Sequence, residues 1–498
     1  MKWPGRWTAL VMVVTLAAGC AVGPDFLRPA PPAVDGFGRE SLRMATVSAD
    51  IAGGEAQRFV AGGDLAGDWW TLFQSPPLNA LVDQALRANP SLIAAQASLR
   101  QAMELVAAQR GLFFPSVQAD ASASRQKDSA TLAPLLNSGR LSYSLYTAQV
   151  TVGFTPDVFG GNRRQVESLL GQAEAQRFQR EAAYVTLTSN VVATAIQQAS
   201  LRAQIAATRE VIAIVTESLR LVRRQFDLGA VAGIELAAQE AALAQVQQTL
   251  PPLQKQLEQN GNLLAALLGR FPGDAPAEAF ELASLRLPED LPVGVPSRLV
   301  EQRPDVRAAQ ALMHAASAQI GVAVANRLPQ LTITGALGGT STSLGRMFAD
   351  GNPFWAIAGS VAQSIFDGGT RWRRQRAAEA AFEQIAAQYR SAVITAFQNV
   401  ADVLYALQAD AESLNAAAAA ERAAKTTLDL TRRQQELRAV NYLVLLSAQQ
   451  AYQQALIVRV QAQASRFVDT AGLFQALGGG WWNRPDIART TEQGENRR

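Results

Sequence analysis

The feature that most restricts the fold of this chain is a pair of very long segments without proline. No proline occurs between Pro156 and Pro251, or between Pro353 and Pro485. Both segments are rich in Ala, Gln, Leu, Arg and Glu, the residues that helices favour. If residues 163–226 form one helix, it is about 95 Å long at 1.5 Å per residue, far longer than an ordinary globular helix. Each segment therefore predicts a long helix that turns and runs back as a second helix.

The two segments belong to a tandem duplication. Landmarks of the first half recur in the second half at a spacing of 209 to 214 residues. The matching pairs are residues 89–90 with 303–304, 114–115 with 328–329, 223–225 with 432–434, and 268–269 with 477–478. Each half is therefore predicted to contain a helix, two strands and two long helices. The long hairpins are expected at about residues 163–268 and 371–477.

The long helices have an apolar stripe with alternating steps of three and four residues. In the first helix the stripe includes Leu187, Val191, Leu201, Ile205, Val215 and Val222. Such a 3.5-residue repeat predicts left-handed coiled-coil packing of paired helices. Taken alone, the stripe favours a soluble coiled-coil rod. Pro251 and Pro252 lie inside the first return helix, where they cost backbone hydrogen bonds and predict a kink.

Two segments have the alternating pattern of strands, at about residues 116–155 and 331–366. Each is predicted to form two strands joined by a polar loop. Four strands cannot close a membrane barrel, because a single-chain barrel needs at least eight and lipid does not tolerate open edges. The pattern leaves three solutions open: a soluble sheet, an eight-stranded barrel from two copies, or a twelve-stranded barrel from three copies.

Residues 1–19 are predicted to be a signal peptide. A basic start precedes an apolar core at residues 10–18 that is too short to span a membrane. Residues 16–20, Leu-Ala-Ala-Gly-Cys, resemble the lipobox of bacterial lipoproteins, in which the cysteine becomes the acylated first residue. Cys20 is therefore the predicted lipidation site, and the alternative is an ordinary signal peptide that contains a cysteine by chance. Residues 20–68, rich in Gly, Pro and Ala, are predicted to be a lipidated tether.

The composition argues against several classes of function. The chain has 498 residues, a net charge of +3, one histidine and one cysteine. The small charge argues against a nucleic-acid partner, and so few histidines and cysteines leave almost nothing for a metal site or a thiol nucleophile. We therefore expect no enzyme activity, no metal and no cofactor. Residues 270–303 are predicted to be a proline-rich linker, and residues 481–498 a polar tail.

Several motifs resemble the TolC-like outer-membrane efflux factors, in their NodT-like lipoprotein branch. The matching segments are residues 20–26 (CAVGPDF), 69–70 (WW), 77–79 (PLN), 291–297 (LPVGVPS), 303–306 (RPDV), 320–323 (IGVA), 366–369 (FDGG) and 477–481 (LGGGW). The linker that runs into Arg303 is the most specific of these matches. The resemblance covers about residues 16–482.

This resemblance implies a mainly α-helical fold with a β-barrel portion, built as a homotrimer. Each chain would contribute four strands to a twelve-stranded outer-membrane barrel, and the long coiled-coil hairpins would form a trimeric α-barrel tunnel. The two repeats are expected at residues 69–269 and 304–480. The implied location is the outer membrane, with a lipid anchor at Cys20 and an extension into the periplasm.

The function implied by the resemblance is the passive exit duct of a tripartite efflux system, for small molecules such as drugs or other toxic compounds. The implied partners are a periplasmic adaptor, or membrane fusion protein, and an inner-membrane pump of the RND type, besides the outer-membrane lipid. The alternative function is a periplasmic coiled-coil adaptor or scaffold lipoprotein. Adaptors have one hairpin flanked by compact β domains, so the duplication argues against that alternative.

The resemblance also assigns roles to the two helix–helix turns and to the charges near them. The turns are expected to form a periplasmic tip that contacts the adaptor, at Leu228, Gly229, Ala230, Val231, Arg438, Ala439, Val440 and Asn441. The gate is expected just inside the tip, with Asp227, Arg223, Arg224, Asp402, Asp410 and Arg432 as candidates, besides Glu217 and Arg433. In a trimer, one carboxylate per chain becomes a ring of three that attracts cations. The simpler alternatives are a solvated turn and solvated helix charges.

One position distinguishes the two turns. The first turn has Gly229, and the second has Arg438 at the matching point, where the family commonly has glycine. We hypothesise that the second turn is the modified one and that its arginine adds a basic contact for a particular adaptor.

Overall fold

The computed structural model describes residues 21–34, 36–38, 43–127, 129, 142–274, 281–437 and 439–484. Helix is the main secondary structure, which confirms the predicted mainly helical fold. The chain divides into two compact units. The first unit consists of residues 1–29, 98–176 and 309–389, and the second of residues 30–97, 177–308 and 390–498.

The helices and strands are numbered in chain order. The α-helices are α1 (Pro76–Ala88), α2 (Pro90–Gly111), α3 (Gly161–Asp227), α4 (Gly233–Gln247), α5 (Leu250–Leu267), α6 (Pro296–Gln302), α7 (Pro304–Ala325), α8 (Thr370–Glu436) and α9 (Tyr442–Ala476). The strands are β1 (Arg58–Ala61), β2 (Ser116–Lys127), β3 (Ser142–Phe154), β4 (Asp290–Val293), β5 (Gln330–Ser341) and β6 (Pro353–Ala362).

The long helices α3 and α8 contain 67 residues each, and both their starts and their ends are 209 positions apart. At 1.5 Å per residue each is about 100 Å long. The equal lengths of α3 and α8 and their spacing of 209 positions reflect the tandem duplication of the sequence. In α3 the apolar stripe is largely buried, at Leu187, Val191, Leu201, Ile205, Val215 and Val222.

The return helices of the two halves differ. In the first half the return path is divided into α4 and α5, and residues 248–249 separate the two helices. Pro251 and Pro252 follow directly, in the first turn of α5, where their missing N–H groups cost no helical hydrogen bond. In the second half α9 has no proline and runs unbroken for 35 residues. The break therefore lies beside the proline pair.

The first unit contains a four-stranded antiparallel sheet in the order β2-β3-β5-β6. The register pairs Val117 with Val152, and Val150 with Leu337, which in turn pairs with Trp355. Because successive side chains point to opposite faces of a sheet, these residues share one face. That face is apolar and exposed in the single chain, at Val117, Val150, Val152, Ile333, Leu337, Trp355, Ile357 and Val361.

The opposite face of this sheet has mainly small and polar side chains, and its large ones are Tyr143, Leu145 and Phe354. On β2 it consists of Ser116, Gln118, Asp120, Ser122, Ser124 and Gln126, and on β5 of Gln330, Thr332, Thr334, Ala336, Gly338 and Thr340. Strands β2 and β6 are the edges of the sheet, and each pairs with one neighbouring strand within the chain. The sheet thus has one mainly apolar face, on which Arg125 and Lys127 lie at the end of β2, one mainly polar face and two open edges.

An aromatic cluster forms part of the core of the second unit. Trp69 and Phe73 are fully buried, and the ring of Trp69 lies 5.3 Å from that of Phe474. Helix α1 follows, and the hydroxyl of Ser75 accepts a hydrogen bond from the backbone N–H of Leu78 at 3.5 Å. A serine at this position satisfies one of the free N–H groups at a helix start. The aromatic segment therefore opens the folded part of this unit.

Strand β1 pairs in parallel with β4. The predicted tether and the predicted linker thus contain ordered structure, and the linker also includes α6. The first four residues of the predicted polar tail, 481–484, are ordered. Trp481 is buried, and its indole N–H donates to the carbonyl of Gln302 at 2.6 Å, while the guanidinium of Arg484 pairs with the buried carboxylate of Glu181 at 2.8 Å. Residues 485–498 lie outside the described residues.

Within the described part of the chain, α7 is the one helix long and apolar enough to cross a membrane, judged by length and composition. Its side chains at Ala311, Met313, Ala315 and Ala318 are buried within the chain. Gly171 of α3 lies so close to α7 that an added Cβ would be 3.0 Å from the carbonyl oxygen of Ala311. The packing of α7 is therefore that of a core helix.

Candidate functional site

The first helix–helix turn joins α3 to α4 and contains the predicted tip residues Leu228 to Val231. The backbone N–H of Ala230 donates to the carbonyl of Gln225 at 2.8 Å, and Gly229 has a φ of 69°. A left-handed residue followed by such a hydrogen bond is a Schellman motif, which closes helix ends and favours glycine. Glycine is therefore favoured at position 229 because the turn requires a left-handed backbone conformation there.

The second turn joins α8 to α9. The backbone N–H of Ala439 donates to the carbonyl of Gln434 at 2.8 Å, a hydrogen bond that matches the one in the first turn. The side-chain oxygen of Asn441 accepts from the N–H of Val444 at 3.1 Å and caps α9. Arg438 lies outside the described residues, so its contact with an adaptor stays a prediction.

Exposed apolar side chains surround both turns. They are Phe226, Leu228 and Ile234 at the first turn, and Leu437, Leu443 and Val444 at the second. Leu228 and Leu437, which precede the two turning points, are 76% and 80% exposed. Clustered apolar groups on a surface mark an interaction site more often than an ordinary solvated turn.

A hydrogen bond links the two hairpins near these turns. The hydroxyl of Tyr442, at the start of α9, donates to the side-chain oxygen of Gln225 on α3 at 2.8 Å. Tyr442 packs in a hydrophobic cluster that includes Val222 and Leu445, and burial raises the pKa of its phenol. Neither Tyr442 nor Gln225 was predicted from the sequence. The sequence signal for this contact was the aromatic residue at the first position of the second return helix.

The charged candidates near the first turn form local ion pairs. Arg223 of α3 pairs with Glu240 of α4 at 2.6 Å. Glu217 pairs with Arg220 on the same helix at 2.6 Å, and the hydrogen bond from that guanidinium lowers the pKa of the Glu217 carboxyl. Glu217 and Arg432 both line a cavity of about 510 Å³ between α3, α8 and α9. The remaining candidates Arg224, Asp227 and Arg433 are exposed close to the helix ends.

Asp402 and Asp410 are on α8 but far from the second turn. Counted along the helix to Glu436, they lie about 50 Å and about 40 Å from its end at 1.5 Å per residue. Asp402 is exposed and accepts a hydrogen bond from the Gln398 amide at 3.3 Å. The structure therefore does not bring these two carboxylates together with the charges beside the turns.

Asp410 is half-buried and adjoins Asp469 of α9. Burial raises the pKa of the Asp410 carboxyl to about 7, with further increases from the hydrogen bond with Asp469 and from its negative charge, and the charge of Arg466 acts in the opposite sense. Two close carboxyl groups cannot both ionise easily, so the pair retains a proton near neutral pH. In the described residues, no group of three or more His, Cys, Asp or Glu is placed to hold a metal ion.

Arg466 of α9 is fully buried. Its guanidinium donates to the carbonyls of Gly53 at 3.2 Å and Glu55 at 2.5 Å, and to the hydroxyl of Thr46 at 3.1 Å. Buried charges are tolerated when hydrogen bonds surround them. The arginine therefore holds residues 46–55 against α9, a role that was not predicted from the sequence.

Residues 21–26, here called the N-terminal strap, are docked within the first unit. The backbone N–H of Val22 donates to the carbonyl of Phe159 at 3.1 Å. Gly23 has a φ of 100°, and an added Cβ would lie 2.4 Å from the backbone of α7. Cys20, the predicted lipidation site, lies outside the described residues. The strap begins directly after it.

Side chains of α3 and α7 hold the strap. Arg164 has a side chain only 6% exposed, and it donates to a strap carbonyl at 3.1 Å and to the Asp25 carboxylate at 2.7 Å. It also pairs with Glu167 at 2.8 Å, and the other oxygen of Glu167 lies 2.8 Å from Nε2 of His314. The His314 ring stacks on that of Phe26 at 4.6 Å. These residues therefore form a specific docking site for the strap.

The chain has known relatives over most of its length. The sequence profile of the outer membrane efflux protein family matches residues 81–270 and 295–479, once in each half. The pyoverdine export outer membrane protein OpmQ of Pseudomonas putida is 30% identical over 417 residues, which cover 83% of this chain and 88% of that protein. The toluene efflux pump outer membrane protein TtgC of Pseudomonas putida is 27% identical over 477 residues, 96% of each protein.

A solved structure agrees with this match. The crystal structure of the open state of the Neisseria gonorrhoeae MtrE outer membrane channel superposes on this chain with a TM-score of 0.78 and 27% identity. The superposition covers 93% of this chain and 99% of that one.

Proposed function

Because this chain belongs to the outer membrane efflux protein family, we propose that it forms the outer-membrane exit duct of a tripartite efflux system. In this proposal three copies assemble, their strands form one twelve-stranded barrel, and their long helices form a tunnel. The duct is passive and catalyses no reaction, because the energy comes from an inner-membrane pump. The main support for the proposal is the sheet with an apolar face, a polar face and two open edges.

The open edges favour closure by further copies. Every neighbouring pair in the sheet is antiparallel, so β2 and β6 run in opposite directions. Strand β6 of one copy can therefore pair with β2 of the next and continue the antiparallel order. Closure satisfies the backbone groups that an edge would expose to lipid. Three copies give twelve strands, which leave a lumen that side chains do not fill.

The two faces of the sheet suit the two environments of such a barrel wall. The apolar face has large side chains such as Ile357 and Val361, which suit contact with acyl chains, and Trp355 suits the membrane interface. The polar face consists mainly of Ser, Thr, Gln, Ala and Gly, which suit a water-filled lumen. We propose that the apolar face meets lipid and that the polar face lines the duct.

The helix–helix turns supply the proposed docking surface for a periplasmic adaptor. Their exposed Leu228, Ile234, Leu437 and Leu443 give each hairpin an apolar end. The adaptor would connect the duct to a pump of the RND type. The charges of Glu217 and Arg432, which line one cavity, are the gate candidates best placed near this end.

The N-terminal strap supports a lipid anchor at Cys20. The strap docks at Phe159, five residues after the end of β3, and therefore close in sequence to the membrane strands. An acyl group on Cys20 would add a second membrane contact to the barrel. We propose that the mature chain is anchored there in the outer membrane.

The cargo is a small molecule whose selection belongs mainly to the pump. One relative is named for pyoverdine export and another for toluene efflux, so similar outer-membrane chains serve different cargo. We propose that this chain likewise serves as the exit duct for whatever cargo the pump selects.

The proposal is tested by assembly and conductance. Detergent-extracted protein is expected to have the mass of three copies by light scattering and to form pores in planar bilayers. A monomer without conductance would contradict the proposed function.

A matched pair of variants on β3 tests the two faces. Val150→Lys places a charge on the apolar face and is expected to prevent barrel assembly, because lysine near the bilayer centre costs about 2–4 kcal/mol per chain. Thr151→Lys places the same charge on the polar face and is expected to leave trimers intact. Equal effects of the two variants on trimer yield would contradict the assignment of the faces.

A further inference from the structure

Asp120 on β2 is the only acidic or basic side chain on the polar face of the four-stranded sheet, whose strand residues are all described. The other side chains of that face are neutral. Arg125 and Lys127 also belong to β2, but the alternation of the strand places them on the face of Val117. The polar face therefore has one net charge per chain, and it is negative.

Asp120 is exposed on this face. No ion pair or hydrogen bond joins it to another residue that the structure describes. In register it faces Gln149 of β3, and the same row continues to Gly338 of β5 and Phe354 of β6. An added Cβ on Gly338 would lie 2.5 Å from a neighbouring carbonyl, so no larger side chain fits there to cover the row. The charge of the exposed Asp120 is open to the solvent on that face.

We propose that Asp120 gives the barrel lumen its ion preference, so that cationic and neutral solutes pass more readily than anionic ones. This inference rests on the proposed trimeric duct. Three copies place three carboxylates at one level of the lumen, with no lumen-facing cation in the strands to offset them. The preference then belongs to the barrel and is separate from any gate at the helical tip.

The dimensions of the barrel set the size of this effect. Twelve strands about 4.8 Å apart and tilted by about 40° give a backbone radius of roughly 12 Å, so the carboxylates lie about 10 Å from the axis. Three charges at that distance, in water with salt screening, enrich a monovalent cation on the axis roughly fourfold at about 0.01 M salt. The same calculation gives about twofold cation enrichment at about 0.1 M salt and almost no enrichment at about 1 M salt.

The test is the reversal potential of purified full-length trimers in planar bilayers under a potassium chloride gradient kept near 0.1 M or below. The wild type is expected to prefer potassium over chloride. Asp120→Asn is expected to lower the ratio of cation to anion permeability about fourfold at about 0.1 M, because cation enrichment and anion depletion are both lost. Near about 1 M, where the Debye length is about 3 Å, the two proteins should not differ.

Two further variants make the result specific. Asp83→Asn removes the same charge from the exposed surface of α1, outside the sheet, and should leave the reversal potential unchanged. Gln118→Asp combined with Asp120→Asn moves the carboxylate by one step along the same face and should restore the cation preference. An Asp120→Asn reversal potential equal to that of the wild type at low salt would overturn the inference. A wild-type protein without any conductance would instead overturn the proposed duct.

Discussion

Replacement of Arg164 by methionine should release the N-terminal strap. The guanidinium of Arg164 donates to the carbonyls of Val22 at 3.1 Å and Gly23 at 3.4 Å, and it pairs with the carboxylate of Asp25 at 2.7 Å. Methionine keeps most of the length and the apolar stem of the side chain but removes every donor. Glu167 retains its contact with His314 after the change, so it is not left without a partner.

The size of the effect follows from the exposure of each contact. Asp25 is 90% exposed, so its ion pair contributes about 1 kcal/mol at most. The two hydrogen bonds to backbone carbonyls come from a charged group that is nearly buried, and such bonds contribute about 1.5 kcal/mol or more each. The loss is therefore about 3 kcal/mol. At 1.4 kcal/mol per factor of ten, the undocked fraction of the strap rises roughly a hundredfold.

Hydrogen exchange read by mass spectrometry measures this fraction at the Val22 amide, which donates to the carbonyl of Phe159 in the docked strap. The exchange rate of that amide should rise roughly a hundredfold in Arg164→Met. Arg163→Met is the matched control, because the neighbouring Arg163 bonds to Asp157 and not to the strap. Unchanged exchange in Arg164→Met, or an equal increase in Arg163→Met, would refute the reasoning.

Three other variants address the carboxyl pair and the turns. Asp410 has a folded-state pKa raised to about 7 from 3.8, so its contribution to stability is present below about pH 4 and is lost as the pH rises through 7. Asp410→Asn should therefore raise the thermal unfolding midpoint at pH 8 more than at pH 5, by the equivalent of about 1–2 kcal/mol after solvent screening. Asp402→Asn, which removes an exposed carboxylate from the same helix, is the matched control variant. Gly229→Ala should speed hydrogen exchange in the last turn of α3, because its φ of 69° costs a non-glycine residue about 1–2 kcal/mol, and Gly233→Ala should have no such effect. Arg438→Gly should weaken binding to the cognate adaptor; unchanged binding and export would reduce the arginine to a tolerated surface residue.

The elements with a strong local pattern were predictable from the sequence. The long helices follow from composition, from the absence of proline and from the 3.5-residue stripe, each of which acts over dozens of residues. The proline pair at Pro251 marks the position where the first return helix breaks. Strands β1 and β4 were not predictable, because each has four residues and they pair across 232 positions of sequence. Four residues are too few to show the alternating apolar pattern of a strand.

Arg164 and Arg466 show why other parts of the site could not be predicted from the sequence. An arginine on a long helix is usually solvated, because burying its charge without partners is costly. Arg164 is buried because carbonyls 141 and 142 positions earlier surround it, and Arg466 because carbonyls 411 and 413 positions earlier do the same. Backbone carbonyls exist at every residue, so no sequence pattern marks the ones that serve as partners. Only the folded chain identifies them.

The gate candidates show a different limit of sequence reasoning. Matching Asp402 to a segment found in the resembling family identified a residue but gave no distance to the tip. The helix supplies that distance, because one unbroken helix separates Asp402 and Asp410 from the turn by about 50 and 40 Å. Charges beside the turn, such as Glu217 and Arg432, were equally available in the sequence. Glu217 and Arg432 line the same cavity, and that cavity forms only when α3 and α8 pack against each other.

Strand register determines on which face of the sheet each side chain lies. A shift of β2 by one residue would move Asp120 to the face of Val117 and into the proposed lipid layer. The segment after β5 lies close against this strand, because an added Cβ on Gly339 would lie 2.3 Å from the carbonyl oxygen of Met347 and 2.9 Å from the ring of Phe348. Any larger residue at 339 would push that segment away. The register is defined by the pairing of β2 with β3, of β3 with β5 and of β5 with β6. In the proposed duct, the lumen-facing position of Asp120 therefore depends on the register of these strand pairs.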